Sequence, residues 1–323
     1  MKTALCCLAF MLLPAASVAF DTPQIDSFVT TVADRHDLDA GWVRDIVSAA
    51  QRKQSILDAI SRPAEKAKPW HEYRRLFINE RRISDGVAFW REHREILEQV
   101  AADCGVPAGV IVAILGIETH YGNRSGGYRV LDALATLAFA YPPRSEFFRS
   151  ELEQFLLLTR EHAIDPLQAQ GSYAGAMGAP QFISSSYRRY AVDGSGDGRV
   201  DLWQDWRDVI GSVANYLHEF GWRRNEPVAE QVAAGEAEAA QFLGDKIELI
   251  HRAGDLRAAD IPLRYAINDD MPVLMFELEQ ENGRERWVGY NNFYVITRYN
   301  RSTMYAMAVR DLSTEISMRV NTQ

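Results

Sequence analysis

Residues 106–122 read VPAGVIVAILGIETHYG and form the most informative segment of the chain. Pro107 suits the start of a helix, where its missing N–H has no partner to lose. Every residue from 110 to 117 is apolar or small, which predicts a helix that is buried on most of its circumference. Glu118 lies near its end on an apolar face, where burial would raise the pKa of a carboxyl. Glu118 is therefore either a proton donor or a helix-end glutamate that reaches water.

The first 19 residues are typical of a secretory signal peptide. Lys2 precedes an apolar run at 5–13, and residues 17–19 (SVA) form a small-residue cleavage site. A membrane anchor is the alternative, but the run is shorter than the roughly 20 residues that span a bilayer. We therefore expect no transmembrane segment. Cleavage would leave Cys104 as the only cysteine, so we expect no disulfide and a Cys104 that is a buried small hydrophobe.

Charge and size narrow the class of protein. The 323-residue chain has a formal net charge of -9 at pH 7, which argues against bulk attraction to nucleic acid or to an anionic membrane. We therefore expect no nucleic-acid partner. The length suggests two or three structural units, and a hydrophobic content of 47% is ordinary for a chain with a sizeable core.

Helical periodicity dominates the first two thirds of the chain. It predicts helices over residues 25–62, 81–102, 130–139, 145–161 and 208–220. Tyr73 and Phe77 lie four residues apart and so share a helix face. Core packing is one interpretation of this pair, and an aromatic wall of a carbohydrate cleft is the other.

Residues 171–182, GSYAGAMGAPQF, are rich in small side chains that let backbone approach a ligand closely. Ser172 and Gln181 supply neutral hydrogen-bonding groups there. The spacing is not that of a phosphate-binding loop. A ligand-binding loop and a purely structural glycine turn both fit this pattern.

Residues 193–204, DGSGDGRVDLWQ, match the ligand pattern of an EF-hand loop. The oxygen ligands at its first seven positions would be Asp193, Ser195, Asp197 and the backbone carbonyl of Arg199. Gln204 stands where an EF-hand has its bidentate glutamate, so Asp205 or Asp208 would have to complete the shell. The loop predicts bound Ca²⁺, and an Asp/Gly turn without an ion is the alternative.

The composition changes after residue 226. Residues 229–243 are rich in Ala and Glu and predict a surface helix, whereas residues 272–279 predict a strand. Asn282-Gly283 predicts a hairpin turn, and residues 284–290 predict the return strand. Together they indicate a small antiparallel β insert.

Six motifs in this order resemble the lytic murein transglycosylase B family, glycoside hydrolase family 103. They are GIETxYG around Glu118, RVLDALAT at 129–136, GSYAGAMG at 171–178 with Gln181-Phe182, the loop from Asp193, IGSVANY at 210–216, and residues 291–309. The resemblance runs from about residue 63 to residue 309. It implies a mainly helical α+β fold, in which a lysozyme-like core carries a helical domain and a small inserted antiparallel β domain.

The implied domain organisation has five parts. They are a signal peptide at 1–19, a helical domain at 20–105 joined by part of 144–170, a lysozyme-like catalytic core with the EF-hand-like loop at 106–225, the β insert at 226–290, and a return to the core at 291–323.

The resemblance also implies a reaction. Family members cleave the β-1,4 bond between N-acetylmuramic acid and N-acetylglucosamine in peptidoglycan and leave a 1,6-anhydromuramic end, because the muramyl C6 hydroxyl replaces water. Glu118 falls on the single catalytic residue, which acts first as acid and then as base. Substrate-binding positions fall on Tyr73, Phe77, Ser172, Gln181, Tyr216, Tyr299, Asn300 and Tyr305. The calcium site falls on Asp193, Ser195, Asp197, Arg199 and Asp208.

We therefore expect a periplasmic enzyme, soluble after signal cleavage, that binds peptidoglycan glycan strands and a structural Ca²⁺ but no organic cofactor. Two alternatives remain: a goose-type muramidase that adds water, and a non-catalytic, calcium-dependent peptidoglycan-binding protein. No Asp or Glu lies between Glu285 and Asp311, although Asp132 or Glu146 could supply a second carboxylate. His120 should face away from Glu118 and be exposed rather than catalytic.

Overall fold

A computed structural model describes residues 20–62 and 68–322, so the predicted signal peptide lies outside the described residues. Most of the described chain is helical. The α-helices are α1 (Thr22–His36), α2 (Ala40–Ser48), α3 (Gln54–Ile60), α4 (Trp70–Phe77), α5 (Glu80–Glu92), α6 (Arg94–Cys104), α7 (Ala108–Thr119), α8 (Val130–Ala140), α9 (Ser145–Glu161), α10 (Ser184–Tyr190), α11 (Trp206–Glu219), α12 (Glu236–Ala240), α13 (Ala253–Ala258), α14 (Asn291–Tyr299) and α15 (Thr303–Thr322). A 3₁₀ turn at Pro142–Arg144 precedes α9.

The strands form two small antiparallel sheets. They are β1 (Tyr128–Arg129), β2 (Gln170–Gly171), β3 (Ala229–Val232), β4 (His251–Arg252), β5 (Pro272–Gln280) and β6 (Gly283–Gly289). β1 pairs with β2, and the larger sheet has the order β3-β6-β5-β4. The predicted mainly helical α+β class is confirmed.

The amino-terminal region predicted as one helical stretch consists of three helices. Asp37 has a left-handed backbone (φ 50°) and ends α1. The side chain of Asp39 then accepts a hydrogen bond of 2.6 Å from the N–H of Trp42 and caps α2. These two aspartates separate α1 from α2, and residues 49–53 separate α2 from α3.

The helix α7 lies at the centre of the main core and contacts α5, α6, α11 and α15. Its residues from Ala108 to Gly116 are all buried. Two glycines, two turns apart on the same face of the helix, allow close approach. A Cβ at Gly109 would clash with Oγ of Ser317, and one at Gly116 would lie 2.6 Å from the hydroxyl of Tyr121. The predicted all-round burial of this helix is confirmed, and it fixes the position of Glu118.

The larger sheet has one face on the main core and the other on a core of its own. Leu274 and Phe276 of β5 belong to the main core, whereas the alternate residues Val273 and Met275 belong to a second cluster that includes Leu256. This alternation is the period of two that a strand imposes. The larger sheet is therefore attached to the helical core by one apolar face.

Two details of the insert differ from the sequence-based prediction. Residues 229–232 form β3 rather than a helix, because pairing with β6 and burial of alternate residues override the helix propensity of Ala and Glu. The hairpin turn is Glu281-Asn282, one residue earlier than predicted. Gly283 pairs with Gln280 and has φ 103°, a left-handed conformation suited to glycine.

Cys104 ends α6 at the edge of the main core. Its thiol is free, and partial burial raises the pKa of that thiol. The side chain packs against the main core but is half-buried, whereas the sequence predicted a buried residue. Cys104 therefore packs as a small hydrophobic residue, as predicted, but it is less buried than predicted.

Within the described residues, no single helix has both the length and the apolar composition needed to cross a membrane. By length and composition alone, α6 and α7 pass that test together as a pair, with a bend of 115° between them.

Candidate active site

Glu118 lies in the last turn of α7, at the point where the helix leaves the main core. Its side chain is half-buried, unlike the fully buried turns before it. The hydroxyl of Tyr305, on α15, donates a hydrogen bond of 2.6 Å to Oε1 of Glu118. Tyr305 is only 2% exposed, so this bond is made in a largely dehydrated environment. The contact supports the carboxyl from one side.

Three tyrosines form a layer around this contact. The rings of Tyr299 and Tyr305 are stacked at 6.4 Å, and the ring of Tyr216 lies 4.8 Å from that of Tyr299. The hydroxyl of Tyr299 donates to the carbonyl of Pro180, and that of Tyr216 donates to the carbonyl of Arg298, both at 2.7 Å. These phenol protons are therefore used within the protein, and the rings shape the site.

The electrostatics keep the phenols neutral. Burial raises the pKa of Tyr299 and Tyr305 well above the ordinary value, and the nearby Glu118 carboxylate raises both further. A neutral phenol donates a hydrogen bond but cannot take up a proton as a base. Tyr305 can therefore stabilise a negative charge on Glu118 without competing for its proton.

The glycine-rich segment forms a second wall. Ser172 Oγ accepts hydrogen bonds from the N–H groups of Ala174 (3.3 Å) and Ala176 (3.1 Å), so its own proton remains available as a donor. Gln181 has a left-handed backbone (φ 54°), and its amide group donates to the carbonyls of Ser125 and Gly178, both at 3.0 Å. Its amide oxygen accepts no hydrogen bond from the described part of the chain. These contacts favour an ordered loop with two polar atoms free for a ligand.

Thr119 connects the two walls, a role that the sequence analysis missed. Its buried hydroxyl donates to the carbonyl of Ala179 (2.8 Å) and accepts from the N–H of Gly122 (3.0 Å). The end of α7 is thereby tied to the glycine-rich segment. The only sequence signal was its position directly after Glu118.

His120 is not exposed, and that prediction was wrong. Its side chain is 11% exposed, and Nε2 lies 2.7 Å from Oδ2 of Asp85 on α5. The prediction assumed helical spacing, but α7 ends at Thr119 and His120 has φ 52°. The reversal of backbone conformation turns the imidazole towards α5.

The remaining predicted cleft residues occupy different environments. Tyr73 is 1% exposed and packs against Phe77 with 5.1 Å between the ring centroids. Phe77 is half-buried. Asn300 follows α14 and lines a cavity of about 680 Å³, here called the insert cavity, whose walls are residues 243–247, 274–277 and 300–304. Tyr73 is thus mainly a core residue, whereas Asn300 faces open space.

The two candidates for a second carboxylate have other surroundings. Asp132, 3% exposed, accepts hydrogen bonds from Arg129 and from the N–H of Gln51. Glu146 lines a separate cavity between α1 and α9. Asp132 forms an ion pair with Arg129, and Glu146 lies on a surface other than the one that carries Glu118.

The predicted calcium loop is organised around two carboxylates. Asp193 accepts from the N–H groups of Gly196 (2.6 Å), Asp197 (3.2 Å) and Gly198 (2.8 Å), and these bonds, that from Gly198 above all, lower its pKa. The hydroxyl of Ser195 also donates to Asp193 at 3.3 Å. The first half of the loop is thus folded around Asp193.

Asp208 closes the loop from α11. It is 1% exposed and accepts from the N–H groups of Gly194 (2.8 Å), Ser195 (3.2 Å) and Asp201 (2.7 Å). Burial is the main influence on its pKa and raises it. Asp205 instead caps α11 through the N–H groups of Arg207 and Asp208. Of the two predicted alternatives, Asp208 contacts the loop.

The donor chemistry of the loop fits Ca²⁺, because its side-chain ligands are carboxylate and hydroxyl oxygens and Arg199 contributes a carbonyl. In residues 20–62 and 68–322, however, no three His, Cys, Asp or Glu side chains converge closely enough to hold an ion. Asp193 and Asp208 are each satisfied by backbone N–H groups. The loop therefore contains oxygen donors, and its carboxylates accept hydrogen bonds from the backbone.

Comparisons with known proteins agree with this architecture. The family model described as Transglycosylase SLT domain matches residues 21–314. The chain is 39% identical over 307 residues to membrane-bound lytic murein transglycosylase B of Escherichia coli (strain K12), covering 92% of this chain and 84% of that protein. The predicted family is therefore confirmed.

Solved structures give the same result. Lytic transglycosylase SltB1 of Pseudomonas aeruginosa superposes with a TM-score of 0.89 at 48% identity, covering 93% of this chain and 99% of that one. Escherichia coli lytic transglycosylase Slt35 in complex with calcium superposes with a TM-score of 0.84 at 38% identity, covering 93% and 94%. The predicted lysozyme-like fold is confirmed. The chain belongs to the transglycosylase SLT domain family and is a lytic transglycosylase that acts on peptidoglycan.

Proposed function

We propose that the enzyme cleaves the β-1,4 bond between N-acetylmuramic acid and N-acetylglucosamine without water and forms a 1,6-anhydromuramic end. Glu118 is the one residue that serves as acid and base. The observation that carries this assignment is the hydrogen bond from the buried, neutral Tyr305 to the Glu118 carboxyl. Glycosidases with two carboxylates use the second as nucleophile or base. We assign neither task to Asp132 or Glu146, because Asp132 is paired with Arg129 and Glu146 lines a cavity between α1 and α9.

The proposed reaction uses one exchangeable proton, that of the Glu118 carboxyl. Glu118 donates its proton to the glycosidic oxygen as the bond from that oxygen to the muramyl C1 breaks. The remaining carboxylate is stabilised by the hydrogen bond from Tyr305, since a hydrogen bond donated to a charged carboxylate favours that form. As the C6 oxygen attacks C1, Glu118 takes the proton of the C6 hydroxyl. The carboxyl is restored, and no water is consumed.

The predicted substrate-binding residues take distinct roles in this proposal. The partly exposed rings of Phe77 and Tyr299 supply apolar surface for sugar faces, and the buried rings of the set shape the site behind them. Ser172, Gln181 and Asn300 supply neutral polar groups. The full proposed set is Tyr73, Phe77, Ser172, Gln181, Tyr216, Tyr299, Asn300 and Tyr305. The positive charge that develops on the muramyl ring would be stabilised by the substrate's N-acetyl group or by neutral oxygens near Tyr299 and Asn300.

We also propose a structural Ca²⁺ in the loop that begins at Asp193. Its ligands would be Asp193, Ser195, Asp197, the carbonyl of Arg199 and Asp208. The oxygen donor set and the calcium complex of the related Slt35 support this assignment. The ion would offset the negative charge of the three aspartates and stabilise the loop before α11. It takes no part in bond cleavage.

The relatives are bacterial cell-wall lytic transglycosylases. We infer that this enzyme acts in the periplasm after removal of residues 1–19, which carry the signal pattern. The division into a helical domain, a catalytic core and a β insert at 226–290 also remains our proposal. The separate cluster of buried residues beneath one face of the sheet supports the insert.

Glu118→Gln tests the catalytic assignment. The variant retains a hydrogen-bonding side chain but has no proton to exchange, so turnover of purified glycan strands should fall by about 10²–10⁴-fold while binding is retained. Glu146→Gln is the matched control and should keep full turnover. Normal turnover by Glu118→Gln, or equal loss in the control, would contradict the assignment.

A further inference from the structure

We propose that the insert cavity binds the stem peptide attached to the muramyl residue. Lys246 and Arg301 bind the carboxylates of the peptide, and Asp245 binds its amine. The inference rests on the proposed function, because it assigns the insert cavity to another part of the same substrate. It gives the β insert a direct role in choosing which peptidoglycan strands are cut.

The insert cavity adjoins the catalytic residue through a short chain of contacts. Ser302 lines the cavity and its hydroxyl accepts a hydrogen bond of 3.2 Å from the N–H of Tyr305. Tyr305 in turn donates to Glu118. Asn300, one of the proposed sugar-binding residues, lies on the same wall. A substituent of a sugar bound at Glu118 therefore lies within reach of this cavity.

The shape of the cavity suits a short peptide. Its volume of about 680 Å³ falls in the range of ordinary ligand pockets. Its apolar lining comes from both the insert and the core, namely Leu243, Ile247, Leu274, Phe276 and Met304. Leu243 forms a parallel bridge with Met275, which holds the segment 243–247 against β5. The cavity is thus bounded by a wall held to the sheet.

The charges on its walls match the peptide rather than the sugars. The side chains of Asp245, Lys246 and Arg301 are exposed, and none forms a hydrogen bond or ion pair with the described residues. Glu277, the other charged wall residue, is already paired with Arg284 and Arg286. Two cations and one anion are therefore available to a ligand.

The stem peptide carries the complementary groups. Its glutamyl residue and its terminal residue carry carboxylates, and its diamino acid carries a side-chain amine. Within an intact strand the N-acetylated sugars are uncharged, and the lactyl carboxyl is used in the amide bond to the peptide. Charge-assisted hydrogen bonds from Lys and Arg to carboxylates are stronger than neutral ones. A site with free Asp, Lys and Arg side chains thus distinguishes peptide from glycan.

The test compares two soluble substrates, uncrosslinked glycan strands with their stem peptides and the same strands after an amidase has removed the peptides. The double variant Lys246→Gln/Arg301→Gln should lower the ratio of kcat/KM on the first substrate to that on the second by about tenfold, through KM. The double variant Arg44→Gln/Arg94→Gln removes two exposed cations from α2 and α6 and should leave the ratio unchanged.

Two results would overturn the inference. One is an unchanged ratio in the Lys246/Arg301 variant. The other is an equal loss on both substrates at an unchanged melting temperature, which would place in the cavity a group of the glycan itself, such as the lactyl carboxylate that the amidase exposes. Neither result affects the proposed function, because the wild-type enzyme would still be judged by whether its products carry anhydro ends.

Discussion

Tyr305 donates a hydrogen bond of 2.6 Å to Glu118, although the two residues lie 187 positions apart in the chain. The contact joins the last turn of the buried helix α7 to the first turns of α15, which pack against each other. In the proposed mechanism, it places a neutral donor at the group that holds a negative charge between two proton transfers. The pairing is therefore central to the proposed mechanism.

Tyr305→Phe should lower kcat/KM by about 10–100-fold, because the carboxylate left after proton donation loses a charge-assisted hydrogen bond. Loss of that bond disfavours the charged form, so Glu118 should keep its proton to higher pH. The alkaline limb of the kcat/KM profile, which reports loss of that proton, should move to higher pH. Ionisation of Tyr305 itself should not appear in the wild-type pH profile, since its pKa lies well above the ordinary value.

The control for this profile is Tyr216→Phe. Its hydroxyl donates to the carbonyl of Arg298 and not to Glu118, so the alkaline limb should stay in place. A Tyr305→Phe profile whose limb is unmoved or shifted to lower pH would show that the hydrogen bond does not stabilise the catalytic carboxylate.

Thr119→Val should reduce both stability and kcat. The change leaves the carbonyl of Ala179 and the N–H of Gly122 without their partner, at a cost of about 1–3 kcal/mol for each buried group. The end of α7 would also lose its connection to the glycine-rich segment. Thr119→Ser restores the hydroxyl and should recover most of the lost stability and most of the lost kcat. Denaturant unfolding and kinetics of the two variants provide the comparison, and a Thr119→Val enzyme of normal kcat would speak against a positioning role.

Calcium should raise the melting temperature of the enzyme. A ligand at one hundred times its Kd stabilises the folded state by about 2.7 kcal/mol. The shift on adding Ca²⁺ should disappear in Asp208→Asn and persist in Asp205→Asn, because Asp208 contacts the loop whereas Asp205 caps α11. Calorimetry with Ca²⁺ and with a chelator measures this difference. An equal calcium shift in both variants would place the ion elsewhere.

Gly116→Ala should destabilise the fold by about 1–3 kcal/mol, which is the usual cost of overpacking. The added Cβ would lie 2.6–2.9 Å from three atoms of the Tyr121 ring system, whose hydroxyl is held by the carbonyl of Arg82. The gain of about 1 kcal/mol in helix propensity does not offset this clash. Gly127→Ala, where a Cβ meets no atom within 4 Å, is the control. A stabilised Gly116→Ala protein would indicate that Tyr121 moves freely.

Local patterns in the sequence were sufficient for much of the fold. The bounds of α9 agree with the apolar period alone, and the β5–β6 hairpin was recognised because a strand pattern and a turn signal lie side by side. Glu118 was proposed because it lies at the end of an unusually apolar helix and in a family motif. Features encoded within about one element of sequence were thus accessible.

Features that depend on contacts between residues far apart in the chain could not be predicted from the sequence. Nothing in the sequence shows that Tyr305 reaches Glu118, because the contact depends on how α7 and α15 pack. β3 was assigned to a helix because its partner strand lies more than fifty residues further along the chain. The surroundings of His120 were predicted wrongly because one left-handed residue ends the helical spacing. Tertiary contacts decide each of these cases.

The most direct test of the central claim is mass spectrometry of uncrosslinked glycan strands digested by the wild-type enzyme in water enriched in ¹⁸O. The proposed mechanism predicts muramyl products with 1,6-anhydro ends and no incorporated ¹⁸O, because the C6 hydroxyl of the substrate replaces water. Reducing ends that carry ¹⁸O would show that the enzyme hydrolyses the bond as a muramidase and would contradict the account.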